Sequence, residues 1–310
     1  MATKIGIIGA GRVGATVAYT LMLSGLVTEI VLVDADRAKA EGEAMDLADG
    51  TAFTGPVRIY MGEYADCRDA SIIVFCAGVG QRPGESRLDL LQRNYEVLRD
   101  VLTALMRSWS GGVLLMVTNP VDVLTYAAYK IAGLPAGQVM GSGTVLDSAR
   151  FRHLLSLYTR TDVRNVHAYV IGEHGESEVF VWSKATIAGV DIDEFCRRRG
   201  IPEPDREYIV ARVRRAAAEI ISRKGATNYA VSLAVRRIVE AVLHDQHSVL
   251  TVSGPLDGAY GLHGTCVSLP SIVGANGRRQ VLALPLDPGE EAALRKSVAV
   301  LQDAQRQIGL

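Results

Sequence analysis

The first half of the chain alternates short apolar runs with longer amphipathic stretches. Runs of this length, rich in valine and isoleucine, are typical of strands that are buried on both faces of a sheet. The runs are Lys4–Ile8, Glu29–Asp34, Val57–Gly62, Ser71–Gly78, Val113–Asn119 and Val139–Thr144. Helical periodicity separates them, as in Gly11–Ser24 and Arg87–Arg107. This alternation predicts a doubly wound parallel sheet with helices on both faces.

The pattern changes after about residue 144. The predicted elements there are a helix near Val145, a strand over Val166–Ile171, helices over Asp205–Arg223 and Ala226–His244, strands over Val249–Gly254, Thr265–Leu269 and Gln280–Leu284, and a final helix capped by Asp287. A chain of 310 residues exceeds the usual size of one domain. We therefore expect a first domain over residues 1–143 and an α+β substrate domain over residues 144–310.

A glycine-rich motif follows the first predicted strand and opens the first predicted helix. It reads Gly9-Ala10-Gly11-Arg12-Val13-Gly14. In this spacing the first glycine permits a tight turn, the second lets the backbone approach a pyrophosphate, and the third brings the helix onto the sheet. Asp34 closes the second strand, where an acid accepts from both ribose hydroxyls of NAD and repels the 2′-phosphate of NADP. The sequence predicts a Rossmann-type domain that binds NAD, with FAD as the competing cofactor.

The second half carries polar residues where its apolar pattern does not require them. Asp147 and Arg150 lie three residues apart on one face of a predicted helix, and His174 stands between two glycines directly after a strand. Taken alone, the first two also fit a solvated ion pair, and the histidine also fits a structural residue. No histidine or cysteine group has the spacing of metal ligands, so we expect no metal site.

The combined motifs resemble the L-lactate dehydrogenase family in order and spacing over essentially the whole chain. The matching segments are Gly9–Gly14, Asp34, Gln81–Arg87, Thr118–Pro120, Leu146–Arg150 and Gly172–Gly175. The resemblance implies reversible, NADH-dependent reduction of pyruvate to L-lactate. A retired NAD-binding protein, structural or sensing in role, is the remote alternative, but such a protein would be free to lose the catalytic residues that this chain keeps.

The resemblance also implies a role for each matching residue. His174 is the acid/base that exchanges a proton with the C2 oxygen of the substrate, and Asp147 holds its ring and favours the charged form. Arg150 grips the substrate carboxylate with two parallel hydrogen bonds. Arg87, on a loop that closes over the substrate, polarises the carbonyl group. Asn119 matches a residue near the nicotinamide and the C2 oxygen, and is expected to contact both cofactor and substrate.

Four further residues complete the predicted contacts. Thr227 matches a residue that lines the substrate pocket, although it also fits a helix cap. Arg12, Val13 and Gly78 are expected beside the cofactor, together with the glycines of the motif.

Gln81 is the position that discriminates between substrates. Malate dehydrogenases of the same superfamily carry arginine there, which pairs with the second carboxylate of oxaloacetate. A neutral glutamine leaves that carboxylate without a counter-charge, at a cost on the order of a few kcal/mol. Pyruvate is therefore expected, unless a one-residue shift of the loop presents Arg82 instead. Branched 2-keto acids are the alternative substrates, because the width of the pocket cannot be read from a sequence.

Bacterial relatives are often activated by fructose 1,6-bisphosphate at a subunit interface. The basic residues that match this site are Arg152 and His167, although unregulated relatives carry the same types. The resemblance further implies a homotetramer.

Composition narrows the setting of this activity. The 33 basic and 34 acidic residues leave a formal charge of −1, which argues against a nucleic-acid or anionic membrane surface. Four scattered cysteines without a paired motif favour a reducing compartment, and no signal-peptide pattern opens the chain. We expect a cytoplasmic enzyme.

Overall fold

A computed structural model describes residues 3–80, 84 and 86–310, without the side chain of Arg87. Its main sheet contains eight strands in the order β14-β13-β6-β5-β4-β1-β2-β3. The six from the first half are β1 (Lys4–Ile8), β2 (Glu29–Val33), β3 (Arg58–Met61), β4 (Ile72–Phe75), β5 (Val113–Met116) and β6 (Val139–Gly141). All neighbours among these six pair in parallel. The predicted Rossmann-type sheet is confirmed.

The remaining strands lie beyond residue 144. They are β7 (Val166–His167), β8 (Val170–Ile171), β9 (Val179–Phe180), β10 (Thr186–Ile187), β11 (Val190–Asp191), β12 (Ser248–Leu250), β13 (Ser253–Asp257), β14 (His263–Ser268), β15 (Ser271–Gly274) and β16 (Gly277–Val281). The described α-helices are α1 (Arg12–Ser24), α2 (Arg37–Asp49), α3 (Arg87–Leu105), α4 (Val121–Ala132), α5 (Val145–Thr159), α6 (Ile192–Arg199), α7 (Arg206–Lys224), α8 (Tyr229–Leu243) and α9 (Pro288–Gln307).

The central strands bury both of their faces. On β4, Ile73 and Phe75 belong to one apolar cluster, whereas Ile72 and Val74 belong to another on the opposite face. Successive side chains of a strand point to opposite sides, so a doubly covered strand is apolar throughout. The first cluster includes residues of α3, α4 and α9, and the second includes residues of α1 and α8. Helices from the second half of the chain therefore cover both faces of a sheet that begins in the first half.

The second half differs from the prediction in its strands. The run predicted as one strand over 166–171 forms two, because β7 pairs with β10 whereas β8 pairs with β9 in a different sheet. The sequence predicts three strands between residues 249 and 284, whereas the structure has five in this region, β12 to β16. Two of them extend the main sheet, since β13 pairs antiparallel with both β6 and β14. These pairings depend on partners distant in sequence, which local periodicity does not contain.

Candidate active site

The glycine turn after β1 is built by close backbone packing. Gly9 has a φ of +99°, and a Cβ there would lie 2.5 Å from the backbone nitrogen of Ala77. A Cβ on Gly14 would overlap the carbonyl oxygen of Gly9. Both positions therefore require glycine for the turn and for the contact between α1 and the sheet.

Gly11 has a different surrounding. The nearest described atom to a Cβ at this position is Nζ of Lys39, at 3.9 Å. Gly11 is the N-cap of α1 and supplies no side-chain cap, and the first turn, which contains Arg12 and Val13, holds no acidic residue. The first N–H groups of α1 thus point toward open space, and the positive end of the helix dipole lies at the same place. This arrangement is suited to a pyrophosphate.

Asp34 ties the end of β2 to the glycine turn. Its Oδ2 accepts a hydrogen bond from the backbone N–H of Ala10 at 2.6 Å, and its Oδ1 accepts one from Asp36 at 2.9 Å. Gly9, Asp34, Gly78 and Asn119 follow β1, β2, β4 and β5, respectively. Because these strands are parallel, all four residues lie at one edge of the sheet, where ligands of this fold class bind.

A buried asparagine that sequence reasoning missed organises this edge. Asn94 is 3% exposed; its Oδ1 accepts from the N–H of Val79 at 2.7 Å, and its Nδ2 donates to the carbonyl of Asn119 at 2.9 Å. A Cβ on Gly78 would lie 3.0 Å from the same Oδ1. The polar residue in an otherwise apolar stripe of α3 was the available signal.

Three residues predicted to carry the chemistry are in direct contact. Nδ1 of His174 lies 2.6 Å from Oδ2 of Asp147, and Nη1 of Arg150 donates to Oδ1 of the same carboxylate at 2.9 Å. The Asp147 side chain is 3% exposed, whereas the His174 side chain is 25% exposed. One buried carboxylate therefore orients both a partly accessible imidazole and a guanidinium.

Charge in this cluster favours a protonated histidine. Burial alone lowers the pKa of His174, but the Asp147 carboxylate outweighs burial and raises that pKa to about 9. Burial also acts to raise the pKa of Asp147, yet the cationic His174 and Arg150 hold it below its usual range. The pair is thus poised as imidazolium and carboxylate near neutral pH.

The backbone that carries His174 is anchored from several sides. The His174 N–H donates to Oδ2 of Asp122 at 2.7 Å. Gly172 exchanges two backbone hydrogen bonds with Ser268, and the N–H of Glu173 donates to the hydroxyl of Ser297 at 2.8 Å. Asp122 belongs to the first turn of α4, which begins at the same sheet edge as Asn119, so this contact brings His174 to the nucleotide side of the sheet.

A second buried carboxyl also belongs to this region. Glu178 is 4% exposed, and its Oε1 has no hydrogen-bond partner within the described part of the chain. The Nε of Arg214 lies 3.8 Å from that oxygen, and burial together with the Asp147 charge raises the pKa of Glu178 to about 8. Sequence reasoning missed both Asp122 and Glu178.

Comparison with known proteins decides the family. A model of the lactate/malate dehydrogenase NAD-binding domain matches residues 3–141, and a model of the lactate/malate dehydrogenase α/β C-terminal domain matches residues 144–308. The chain belongs to the lactate/malate dehydrogenase family. It is an NAD-dependent oxidoreductase, and both the predicted family and the predicted cofactor are confirmed.

Individual members of the family are similar to this dehydrogenase over nearly its full length. The L-lactate dehydrogenase of Thermoanaerobacter sp. (strain X514) is 52% identical over 309 residues, covering 99% of each chain. That of Moorella thermoacetica is 52% identical over 310 residues, covering 99% of this chain and 98% of the relative. A solved lactate dehydrogenase from a Medee basin deep-sea metagenome library superposes with a TM-score of 0.97 at 40% identity, covering 100% of this chain and 99% of that one.

The other predicted site residues of the dehydrogenase are placed as follows. Thr227 is half-buried between α7 and α8, and Asn228 rather than Thr227 is the N-cap of α8. Nε of Arg152 donates to the carbonyl of Val166 at 2.8 Å, and the exposed His167 follows that residue. Arg12 is exposed. Gln81 and the side chain of Arg87 lie outside the described residues.

Within the described ranges, no group of three or more histidine, cysteine, aspartate or glutamate side chains is arranged to hold a metal ion. Among the helices that the structure describes, none is long and apolar enough to span a bilayer.

Proposed function

We propose that this chain is an L-lactate dehydrogenase that reduces pyruvate to L-lactate, reversibly, with NADH as the hydride donor. The observation that carries the proposal is the contact of His174 and Arg150 with one buried carboxylate, Asp147. A proton donor and a carboxylate-binding cation side by side suit a small 2-keto acid, which offers a carbonyl oxygen beside its acid group. The names of the two L-lactate dehydrogenases described above point to the same activity.

His174 exchanges the proton in this mechanism. Asp147 engages Nδ1, so Nε2 is the ring nitrogen left for the substrate. In the direction of reduction, the imidazolium donates its Nε2 proton to the C2 oxygen, and in the reverse direction the neutral imidazole takes that proton back. The Asp147 carboxylate fixes the tautomer of the neutral ring and stabilises the charged one.

The two arginines act on the substrate in this proposal. Arg150 binds the substrate carboxylate through its guanidinium while Asp147 holds the arginine in place. Arg87 polarises the carbonyl group as oxygen gains negative charge. Asn119 and Thr227 complete the substrate pocket. At the nucleotide edge, Gly9, Gly11 and Gly14 with the N–H groups of Arg12 and Val13 would hold the pyrophosphate, Asp34 would hold the adenosine ribose, and Gly78 would line the cofactor site.

Gln81 sets the preference for pyruvate over oxaloacetate in this proposal. A second substrate carboxylate in a closed site next to a neutral amide lacks a counter-charge, which costs on the order of a few kcal/mol. We therefore expect Gln81→Arg to move the preference toward oxaloacetate.

The proposal also covers assembly, regulation and compartment. We propose a homotetramer in which Arg152 and His167 contribute to an interfacial fructose 1,6-bisphosphate site; both residues lie close to Val166 in the described chain. Four free thiols, at Cys67, Cys76, Cys196 and Cys266, suit a reducing compartment, and we propose the cytoplasm.

Steady-state kinetics test the function. Pyruvate, oxaloacetate and 2-oxoisocaproate are compared with NADH and NADPH, for the wild type and Gln81→Arg, with and without millimolar fructose 1,6-bisphosphate. We expect the highest kcat/KM for pyruvate with NADH, a shift toward oxaloacetate in the variant, and a lower pyruvate KM with the effector. A wild type that prefers oxaloacetate or 2-oxoisocaproate would overturn the proposed substrate. Saturation curves that the effector leaves unchanged would overturn the proposed regulation.

A further inference from the structure

Asp122 is a buried carboxyl group that the mechanism above does not use. It is 2% exposed and lies in the first turn of α4. Its Oδ2 accepts from the N–H of His174 at 2.7 Å, and its Oδ1 accepts from the hydroxyl of Ser268 at 3.0 Å. A carboxyl group buried this deeply costs free energy unless it is fully hydrogen-bonded, so its presence here calls for an explanation.

The contacts of Asp122 favour its ionised form. Both oxygens act as acceptors, which suits a carboxylate rather than a carboxylic acid. The first turn of a helix also favours negative charge, because unpaired N–H groups point toward it. Burial raises the pKa of Asp122 above its ordinary value, and the contacts with His174, Ser253 and Ser268 offset part of that rise.

We propose that Asp122 is a positioning residue for His174, which fixes the backbone at the imidazole and supplies a second negative charge that retains the proton on the ring. The inference rests on the proposed function, because the retained proton is the one that His174 delivers to the substrate. Asp147 acts on the ring from α5, whereas Asp122 acts from α4, at the edge where the cofactor binds. The histidine is thus held by one carboxylate at Nδ1 and by another at its backbone N–H.

Other charges around the pair do not replace Asp122. After Asp147, the Asp122 carboxylate contributes most to raising the pKa of His174, ahead of Glu178. Arg150 is directed to Asp147, and Arg214 is beside Glu178. On β14, the thiol of Cys266 lies near Asp122, but burial raises the pKa of that thiol, so it stays neutral. Neutralising Asp122 therefore removes one of two principal negative charges from the imidazolium.

The test is a pair of variants with matched contacts. Asp122→Asn keeps the size of the side chain but removes its charge, whereas Ser268→Ala removes one hydrogen bond and keeps the charge. We measure the pH midpoint of pyruvate reduction and, independently of activity, the titration of His174 by carbon-13 NMR in the NADH complex, its signal assigned by its loss in His174→Ala. We expect Asp122→Asn to lower both midpoints by about 0.5–1 pH unit, a three- to tenfold change in proton affinity. Ser268→Ala should move neither midpoint by more than about 0.2 unit.

Each other outcome counts against the inference. If Asp122→Asn lowers kcat without moving the midpoints, the carboxylate is merely structural and the proposal is wrong. If Asp122→Asn does not bind NADH, the smaller neutral variant Asp122→Ser replaces it with the same expectation. If neither variant folds, a wild-type His174 that titrates in the ordinary histidine range overturns the proposal. A wild type without pyruvate turnover refutes the proposed function, while the NMR titration still decides the role of Asp122.

Discussion

The glycine turn and the His174 cluster lie toward the same edge of the sheet but are constructed differently. The turn is made of backbone from six consecutive residues, and the groups proposed to bind the pyrophosphate are N–H groups at the start of α1. The cluster is made of side chains from separate elements. Asp147 and Asp122 contact His174 across 27 and 52 residues of chain, respectively.

This difference separates two kinds of robustness. A backbone site depends on the absence of side chains, so single added methyl groups should disturb it. A side-chain site depends on the identity of each group, so removal of one group should abolish chemistry while leaving the fold and the cofactor site intact.

The largest effect is expected at His174. His174→Ala removes the proposed proton donor, so turnover should fall by about 10⁴-fold or more, at the top of the range for acid–base catalysis. NADH affinity, measured by fluorescence titration, should remain at the wild-type value because the glycine turn is unchanged. Activity retained above a few percent would refute the acid/base role.

The next largest effect is expected at Asp147. Asp147→Asn keeps the shape of the side chain but removes the charge, and kcat should fall by about 10²–10⁴-fold. The pH dependence should change as well. In the proposed mechanism reduction needs the imidazolium, whose pKa is raised to about 9, so we expect wild-type activity to be full well below that pH and to fade as pH rises through it. In the variant the loss should begin at a lower pH, and an unshifted profile recorded with saturating NADH would contradict the assignment.

The smallest effects are expected in the glycine turn, where two substitutions should act differently. Gly11→Ala places a methyl group in open space over the start of α1, so it should weaken NADH binding about tenfold with little change in Tm. Gly14→Ala forces a methyl group against the carbonyl of Gly9, so it should lower stability by on the order of 2 kcal/mol or more. Calorimetry and fluorescence titration separate the two, and equal losses of Tm would contradict the distinction.

The features that could be predicted from the sequence are those that depend on residues close together in the chain, and the features that could not are those that depend on distant contacts. The glycine turn could be predicted because its preceding strand, its spacing and Asp34 all lie within 31 residues of chain, from Lys4 to Asp34. The contact of Arg150 with Asp147 could also be predicted, because residues three apart share one face of a helix. Their contact with His174 was expected only from the family resemblance, since no local pattern brings α5 to the end of β8.

The residues that were missed depend on tertiary contacts. Asp122 lies on an apolar helix directly after Asn119 and Pro120, so its polarity was visible but its partner was not. The split between β7 and β8 was equally hidden, because each half pairs with a different distant strand. The periodicity of apolar residues in helices and strands indicates which face is buried, but it does not indicate which residue packs against that face.

The extension of the main sheet by β13 and β14 has a practical consequence for engineering. Gly172, two residues before His174, is bridged to Ser268 at the end of β14, and β13 joins that strand to β6. The segment that carries His174 is thus joined to the same sheet as the strand that precedes the glycine turn. A chimera that exchanged everything after residue 144 between relatives would replace β13 and β14 but keep β6. A successful exchange should therefore transplant the interface between β6 and β13 as one unit.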